Sequence, residues 1–149
     1  MKLEQEIKQD KFKSEIHKLA VNIIYTHSWF NSFQNEWLCK YNLTTQQYNI
    51  LRILRGQYPD PASINLLKDR MLDKMSDASR LVERLRLKGM VQRKNCKEDR
   101  RRAEVIITQK GLDTLKDLDS IEDKFSEVFS NISEEDAKTI NDLLDKMRG

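Results

Sequence analysis

The chain has 149 residues, with 27 Lys and Arg against 24 Asp and Glu, two Cys, four Gly and two Pro. That length sets one domain with a core of its own, two cysteines are too few for a secreted disulfide scaffold and fit a reducing, cytoplasmic compartment, and no apolar run reaches the ~18 residues of a membrane span. The opening stretch MKLEQEIKQDKFKSEIHK is too charged for a signal peptide, and so few Gly and Pro exclude a turn-rich sandwich or barrel, leaving a mainly α chain.

The formal net charge of +3 hides an uneven distribution. Residues 1–65 carry 8 basic and 6 acidic side chains, residues 66–112 carry 14 and 7, and residues 113–149 carry 5 and 11. A basic middle with an acidic C-terminal segment points to a polyanion-binding module joined to a part that avoids the polyanion. A solvated helix face gives the same charge run, so the basic block needs a fold around it.

Along the chain, Phe12, Ile16, Leu19, Ala20, Ile23, Ile24, Phe30, Phe33 and Trp37 recur every three or four residues, which predicts a long first helix over 12–38. Thr44-Thr45-Gln46-Gln47 is a capping-box pattern. It opens a helix with Tyr48, Leu51 and Leu54 on one stripe, ending at Gly56. Tyr58-Pro59-Asp60-Pro61 is a loop, because each proline bars helix at the residue before it. Ser63 can cap a short helix holding Ile64, Leu67 and Met71. Leu72-Asp73 reads as a turn, with Asp73 or Ser76 as the next N-cap. The following helix runs to Lys88 with Ala78, Leu81, Val82 and Leu85 inward, and Gly89 stands at the C′ position. Helix, turn and helix over Ser63–Lys88 form a helix-turn-helix signature.

After Gly89 the period changes. Met90–Arg93 and Glu104–Ile107 read as two short strands, joined by the basic loop Lys94–Ala103. That arrangement is a β-wing. Thr108 then caps a long helix through Leu112, Leu115, Leu118, Ile121, Phe125, Val128 and Phe129. Ser133 begins a last helix whose acidic first turn suits its dipole, with Ile140, Leu143, Leu144 and Met147 on one stripe. Neither terminal flank can bury its apolar stripe alone, so the two are expected to pack together and onto a second copy of the chain. The expected fold is mainly α with a small β-wing: an N-terminal dimerisation helix in 1–42, a winged helix-turn-helix in 43–111 and C-terminal dimerisation helices in 112–149.

Thr45–Leu54 (TQQYNILRIL), Arg80–Val91 (RLVERLRLKGMV), Asp99-Arg100-Arg101 and Val105–Gly111 (VIITQKG) resemble the MarR family of bacterial transcription regulators. The resemblance covers nearly the whole chain and is most specific over Leu81–Gly111. It implies a triangular homodimer whose terminal helices form the dimer body. It also implies a recognition helix for the major groove and a wing for the minor groove of a palindromic double-stranded operator. Many members release DNA when a small phenolic or other aromatic ligand binds between lobe and dimer body, and others respond to thiol oxidation. The chain departs from the family pattern at Lys68, where a small Ala is usual, and at Leu72, where a turn Gly is common.

The inward stripe of the recognition helix leaves Ser76, Asp77, Ser79, Arg80, Glu83 and Arg84 outward. Ser76 and Ser79 can donate or accept at bases or phosphates, and Arg80 can be bidentate to guanine O6 and N7. A carboxylate repels phosphates, so Asp77 either accepts from a cytosine amino group or orients Arg80 or Arg101. By resemblance, Arg101 enters the minor groove, where a narrow A·T tract concentrates negative potential, and Asp99 holds it in place. Arg100 and Arg102 then fall to phosphates, while Lys94 and Lys97 add attraction that weakens with salt. The ligand site implied by resemblance takes Tyr25, Trp29 and Tyr48 as aromatic walls and Arg52 as a cation for a carboxylate; an aromatic stripe on a helix is more often core or dimer interface. Cys96, beside Lys94 and Lys97, and Cys39 are the candidate redox thiols. His17 and His27 stand ten residues apart on one helix and suit ordinary polar roles better than a metal.

No glycine-rich phosphate loop, HExxH or nucleophile–base arrangement is present, so no enzyme and no cofactor are expected. The reading is a ligand-responsive, DNA-binding homodimeric repressor. Two alternatives stay open: a thiol-oxidation-responsive regulator of the same fold, and a winged-helix protein-interaction module.

Overall fold

In the computed structural model, which describes residues 2–95 and 103–149, the chain opens with a short helix, α1 (Leu3–Ile7), that the periodicity did not announce. It lies back on the next helix, α2 (Glu15–Leu38): Glu4 pairs with Lys18, and Glu6 accepts from the Tyr25 hydroxyl at 2.8 Å. Helix α2 starts at Glu15 rather than Phe12, because Ser14 caps it and accepts from the His17 N–H. Phe12 stays outside the helix, its ring edge-on to His17. At the far end a 3-10 turn, Cys39–Tyr41, leads to left-handed Asn42 (φ 53°). The Leu43 and Asn42 N–H groups close that end onto the Leu38 and Cys39 carbonyls at 3.1 and 3.0 Å.

Helix α3 (Thr45–Gln57) begins at the expected capping box. Thr44 Oγ1 accepts from the Gln47 N–H, and Gln47 Oε1 accepts from the Thr44 N–H, both at 3.2 Å. The helix buries Gln47, Tyr48, Ile50, Leu51, Ile53 and Leu54, a wider face than the expected stripe, because other elements cover it on several sides. After the proline loop come a two-residue strand, β1 (Ala62–Ser63), and helix α4 (Ile64–Arg70), which Ser63 caps through the Leu66 N–H. Two residues are too few to show a period, which is why β1 escaped the sequence.

Helix α5 (Ala78–Leu87) starts later than expected: Asp77 is the N-cap, not Asp73 or Ser76. Its carboxylate accepts from the Arg80 N–H at 3.0 Å. At the C-terminal end the Met90 and Gly89 N–H groups return to the Leu85 and Arg86 carbonyls, and Gly89 takes the left-handed φ of 72° that this cap requires. Strands β2 (Val91–Asn95) and β3 (Ala103–Ile107) pair antiparallel, Val91 opposite Ile107 and Lys94 opposite Glu104. Strand β1 pairs on the other side of β3, giving the order β1-β3-β2. Val91, Val105 and Ile107 turn inward onto α3 and α5, where Ile50, Leu51, Leu67, Val82, Leu85 and Leu115 complete the core.

The helix expected from Thr108 through Phe129 is two helices, α6 (Gln109–Leu118) and α7 (Ser120–Val128). At the break the Asp119 N–H bonds three residues back to the Lys116 carbonyl, and the Ser120 hydroxyl takes the Asp117 carbonyl. Asp119 is also held sideways by Arg55 of α3 at 2.7 Å. Phe125 and Phe129 of α7 pack on Phe30 of α2, with ring centroids 5.3 and 5.5 Å apart. Helix α8 (Glu134–Arg148), boxed by Ser133 and Asp136, buries none of its residues. The apolar residues Ile16, Leu19 and Ile24 of α2 and Ile140, Leu143 and Met147 of α8 stand exposed.

Candidate nucleic-acid interface

The turn between α4 and α5 sets where α5 begins. Asp73 organises it, accepting from the Met75 N–H at 3.0 Å and the Ser76 hydroxyl at 2.7 Å. Those bonds, the hydroxyl first, hold the Asp73 carboxyl below its ordinary value. Ser76 therefore lies before the helix, half-buried, with its hydroxyl already donated to Asp73. The sequence placed it on the outward face of the helix; the structure places it in the turn before the helix. Asp77 likewise spends one carboxylate oxygen on the helix cap.

Ser79, Arg80 and Arg84 occupy the exposed face of α5 as expected. Arg80 and Arg84 are one turn apart, so both guanidinium groups emerge on the same side. Lys94 is exposed on β2, directly opposite Glu104 in the register. Cys96, Lys97, Asp99, Arg100, Arg101 and Arg102 lie outside the described residues.

The sequence did not single out Arg86 and Arg93. Glu83 accepts from Arg86 Nε at 3.1 and 3.0 Å and from Arg86 Nη2 at 2.7 Å, and its Oε2 lies 3.8 Å from Arg93 Nη1 of β2. The Arg86 hydrogen bonds, with the positive charge of Arg93 behind them, hold the Glu83 carboxyl below its ordinary value. One carboxylate thus joins the second half of α5 to β2. The i, i+3 spacing of Glu83 and Arg86 was the available signal; the Arg93 contact crosses elements and had none. Arg86 and Arg93 also line a cleft of about 340 Å³ with Gly89, Val91, Gln92 and Thr108.

Arg52 lies over the Tyr48 ring at 5.8 Å, and Tyr48 is buried. Tyr25 is bonded to Glu6, and Trp29 packs edge-on against Phe129. An apolar groove of about 480 Å³ runs between α7 and α8, lined by Phe125, Phe129, Ile132, Ala137 and Ile140 among others, and by none of those four. Cys39 is an exposed free thiol that donates to the Glu36 carbonyl. His17 Nδ1 accepts from the Lys13 N–H, and His27 meets Asn31 at 3.2 Å. Among the described residues no group of three or more His, Cys, Asp or Glu is placed to hold a metal, and no helix is long and apolar enough to cross a membrane.

No family model and no curated protein matches the sequence. Solved structures do. A MarR transcription factor from Planctomyces limnophilus is 28% identical, over 93% of this chain and 98% of that one, with a TM-score of 0.68. An organohalide-sensing transcriptional regulator in its 2,4-dichlorophenol-bound form is 19% identical over 94% of this chain and 85% of its own, with a TM-score of 0.83. A mutant MarR from E. coli complexed with operator DNA is 23% identical over 93% and 99%, with a TM-score of 0.78. The likeness spans both the winged lobe and the terminal helices, and it joins the capped recognition helix and three-stranded wing sheet to the motifs of Leu81–Gly111. The chain has the fold of the MarR family of winged-helix transcription regulators.

Proposed function

We propose that the chain works as a homodimer that binds a palindromic operator and represses transcription until a small aromatic ligand releases it. The observation that carries the DNA reading is the exposed Arg80–Arg84 face of α5, which lies between the Asp77 cap and the Gly89 cap. Arginines preorganised on a short helix lose little freedom on meeting base edges. The basic stretch of sequence from Lys94 through Arg102 supplies further cations, with Arg101 taken as the minor-groove residue and Asp99 as its support. Exposed apolar faces on α2 and α8, and the groove between α7 and α8, support the dimer, because a lone chain leaves this surface in water. Ligand release is supported by the dichlorophenol-bound relative and by the Tyr48–Arg52 pair.

The test is binding to DNA from upstream of the protein's own gene in a gel shift at rising salt, together with sedimentation at micromolar concentration. A dimer that binds at low salt, and loses affinity steeply as salt rises, is expected. No shift at low salt, or a monomer in sedimentation, overturns the respective half of the proposal.

A further inference from the structure

Two large apolar side chains stand almost wholly in water at the entry to the recognition helix: Leu72 is 87% exposed and Met75 is 93% exposed. Their neighbours Met71 and Ala78 are buried, at 1% and 4%. The turn is pinned, so this outward placement is built in. The Leu72 N–H donates to Asn49 Oδ1 at 3.0 Å, the Met75 N–H to Asp73 Oδ1 at 3.0 Å, and the Lys74 ammonium to the Asp69 carbonyl. Single exposed apolar residues need no explanation, but two within four residues on a rigid turn mark a contact surface.

The surroundings select the partner. Lys68, Arg70, Lys74, Arg80 and Arg84 are exposed around the turn. Of the nearby carboxylates, Asp73 and Asp77 are each engaged by N–H or O–H donors of the turn and cap, and Asp69 stands exposed between Lys68 and Arg70, so cations outnumber the exposed acid. An apolar tip ringed by cations fits a polyanion with apolar groups on its surface. The thymine methyl is the apolar group that the DNA major groove presents.

We propose that Met75, with Leu72 beside it, reads thymine methyl groups in the major groove next to the bases met by Arg80. The proposal rests on the DNA-binding reading above and names a specificity determinant within it. The test uses the full chain and a duplex recovered by in vitro selection from a random pool, with each thymine replaced in turn by deoxyuridine, which lacks only the methyl. Wild type is expected to lose about fourfold in affinity for each methyl it contacts, the value of one buried methyl group. Met75→Ala should lose a similar factor on the thymine duplex and nothing more on the matching deoxyuridine duplex. Leu72→Ala is the second variant, and an unchanged thermal melt of both confirms that the fold is intact. Additive losses, or indifference to every deoxyuridine, overturn the proposal while leaving DNA binding standing. If Met75→Ala alters sedimentation and not DNA affinity, the side chain serves a contact between copies and the proposal falls. Failure of wild type to select any duplex removes the DNA-binding reading and this proposal with it.

Discussion

Lys88 Nζ donates to Gln47 Oε1 at 2.9 Å and also to the Asn42 carbonyl, so the C-cap of α5 is tied to the first turn of α3 and to the left-handed residue that ends the 3-10 turn after α2. Gln47 is 2% exposed and is the same side chain that closes the Thr44 capping box. Burial, with the nearby positive charge of Arg84, pushes the Lys88 ammonium below its ordinary value. The charge is held there by its two acceptors, while the Lys88 carbonyl takes a bond from Lys110 of α6 at 2.8 Å. One residue therefore gathers α2, α3, α5 and α6 at a point that any movement of the lobe against α2 must strain.

Lys88→Met keeps the stem and removes the donor. It should destabilise the chain by about 1 kcal/mol, the usual worth of a partly solvated charge-assisted bond. Urea denaturation of the variant against wild type measures this. Lys88→Arg, whose fork cannot reproduce a single-point donor between two fixed oxygens, should recover only part of the loss. Full stability in the Met variant would show that the clasp carries no free energy.

Asp73 supplies a pH signature at the same end of the lobe. Its folded pKa is below the ordinary 3.8 because the Ser76 hydroxyl and the Met75 N–H favour the carboxylate. A depressed carboxylate contributes stability that is complete above the unfolded value and is lost as pH falls through the folded one. Asp73→Asn should be less stable than wild type at pH 6, and the gap should close as pH drops below 3.8. Thermal melts of both proteins across that range check it; a gap that stays constant with pH would show that the charge of Asp73 is not what organises the turn.

Local chemistry made much of this fold readable in advance. The Thr44 box, the Ser63 and Thr108 caps and the Gly89 terminus depend on a few adjacent residues, and each stands where its residues imply. Features that depend on distant partners were not readable. Asp77 displaced Asp73 as the cap because Asp73 was already engaged in its own turn. Arg93 joined Glu83 only once β2 lay beside α5. The break at Asp119 coincides with a bond to Arg55, 64 residues away. The exposed arginines on α5 were legible because they are what remains once the inward stripe is assigned. An aromatic ring on a helix looks the same in sequence whether it lines a pocket or packs on a neighbour, as Trp29 does on Phe129.

The two arginine groups should fail in different ways. On the proposed docking Arg80→Ala removes a base-edge contact, so preference for the selected duplex over random DNA should fall by roughly tenfold to a hundredfold. Arg101→Ala should weaken binding to all sequences and reduce the slope of log affinity against log salt by about one. Competition binding over a range of KCl separates the two patterns. If both variants bind as wild type does, the docking assigned to α5 and the wing is wrong.

Gly111 and Gly56 make a matched pair. Both lie in helices, but a Cβ on Gly111 would sit 2.5 Å from the Met90 carbonyl oxygen and 2.6 Å from Ile107 Cγ1. The Met90 carbonyl already accepts from the Thr108 N–H at 3.0 Å, so it cannot retreat without breaking the junction between β2 and α6. Gly111→Ala should therefore cost about 1–3 kcal/mol, the range of overpacking. Gly56 has nothing within 4 Å of its Cβ position and stands inside α3, so Gly56→Ala should stabilise by about 0.5–1 kcal/mol through backbone entropy alone. Opposite shifts in denaturation midpoint are the expected result. Because Gly111 packs where the first wing strand leaves the recognition helix, its variant should also lose operator affinity at temperatures where it remains folded, and Gly56→Ala should not. Equal midpoints for the two variants would mean that α6 can move off β2 at no cost, and that the close approach at Gly111 does not fix the wing.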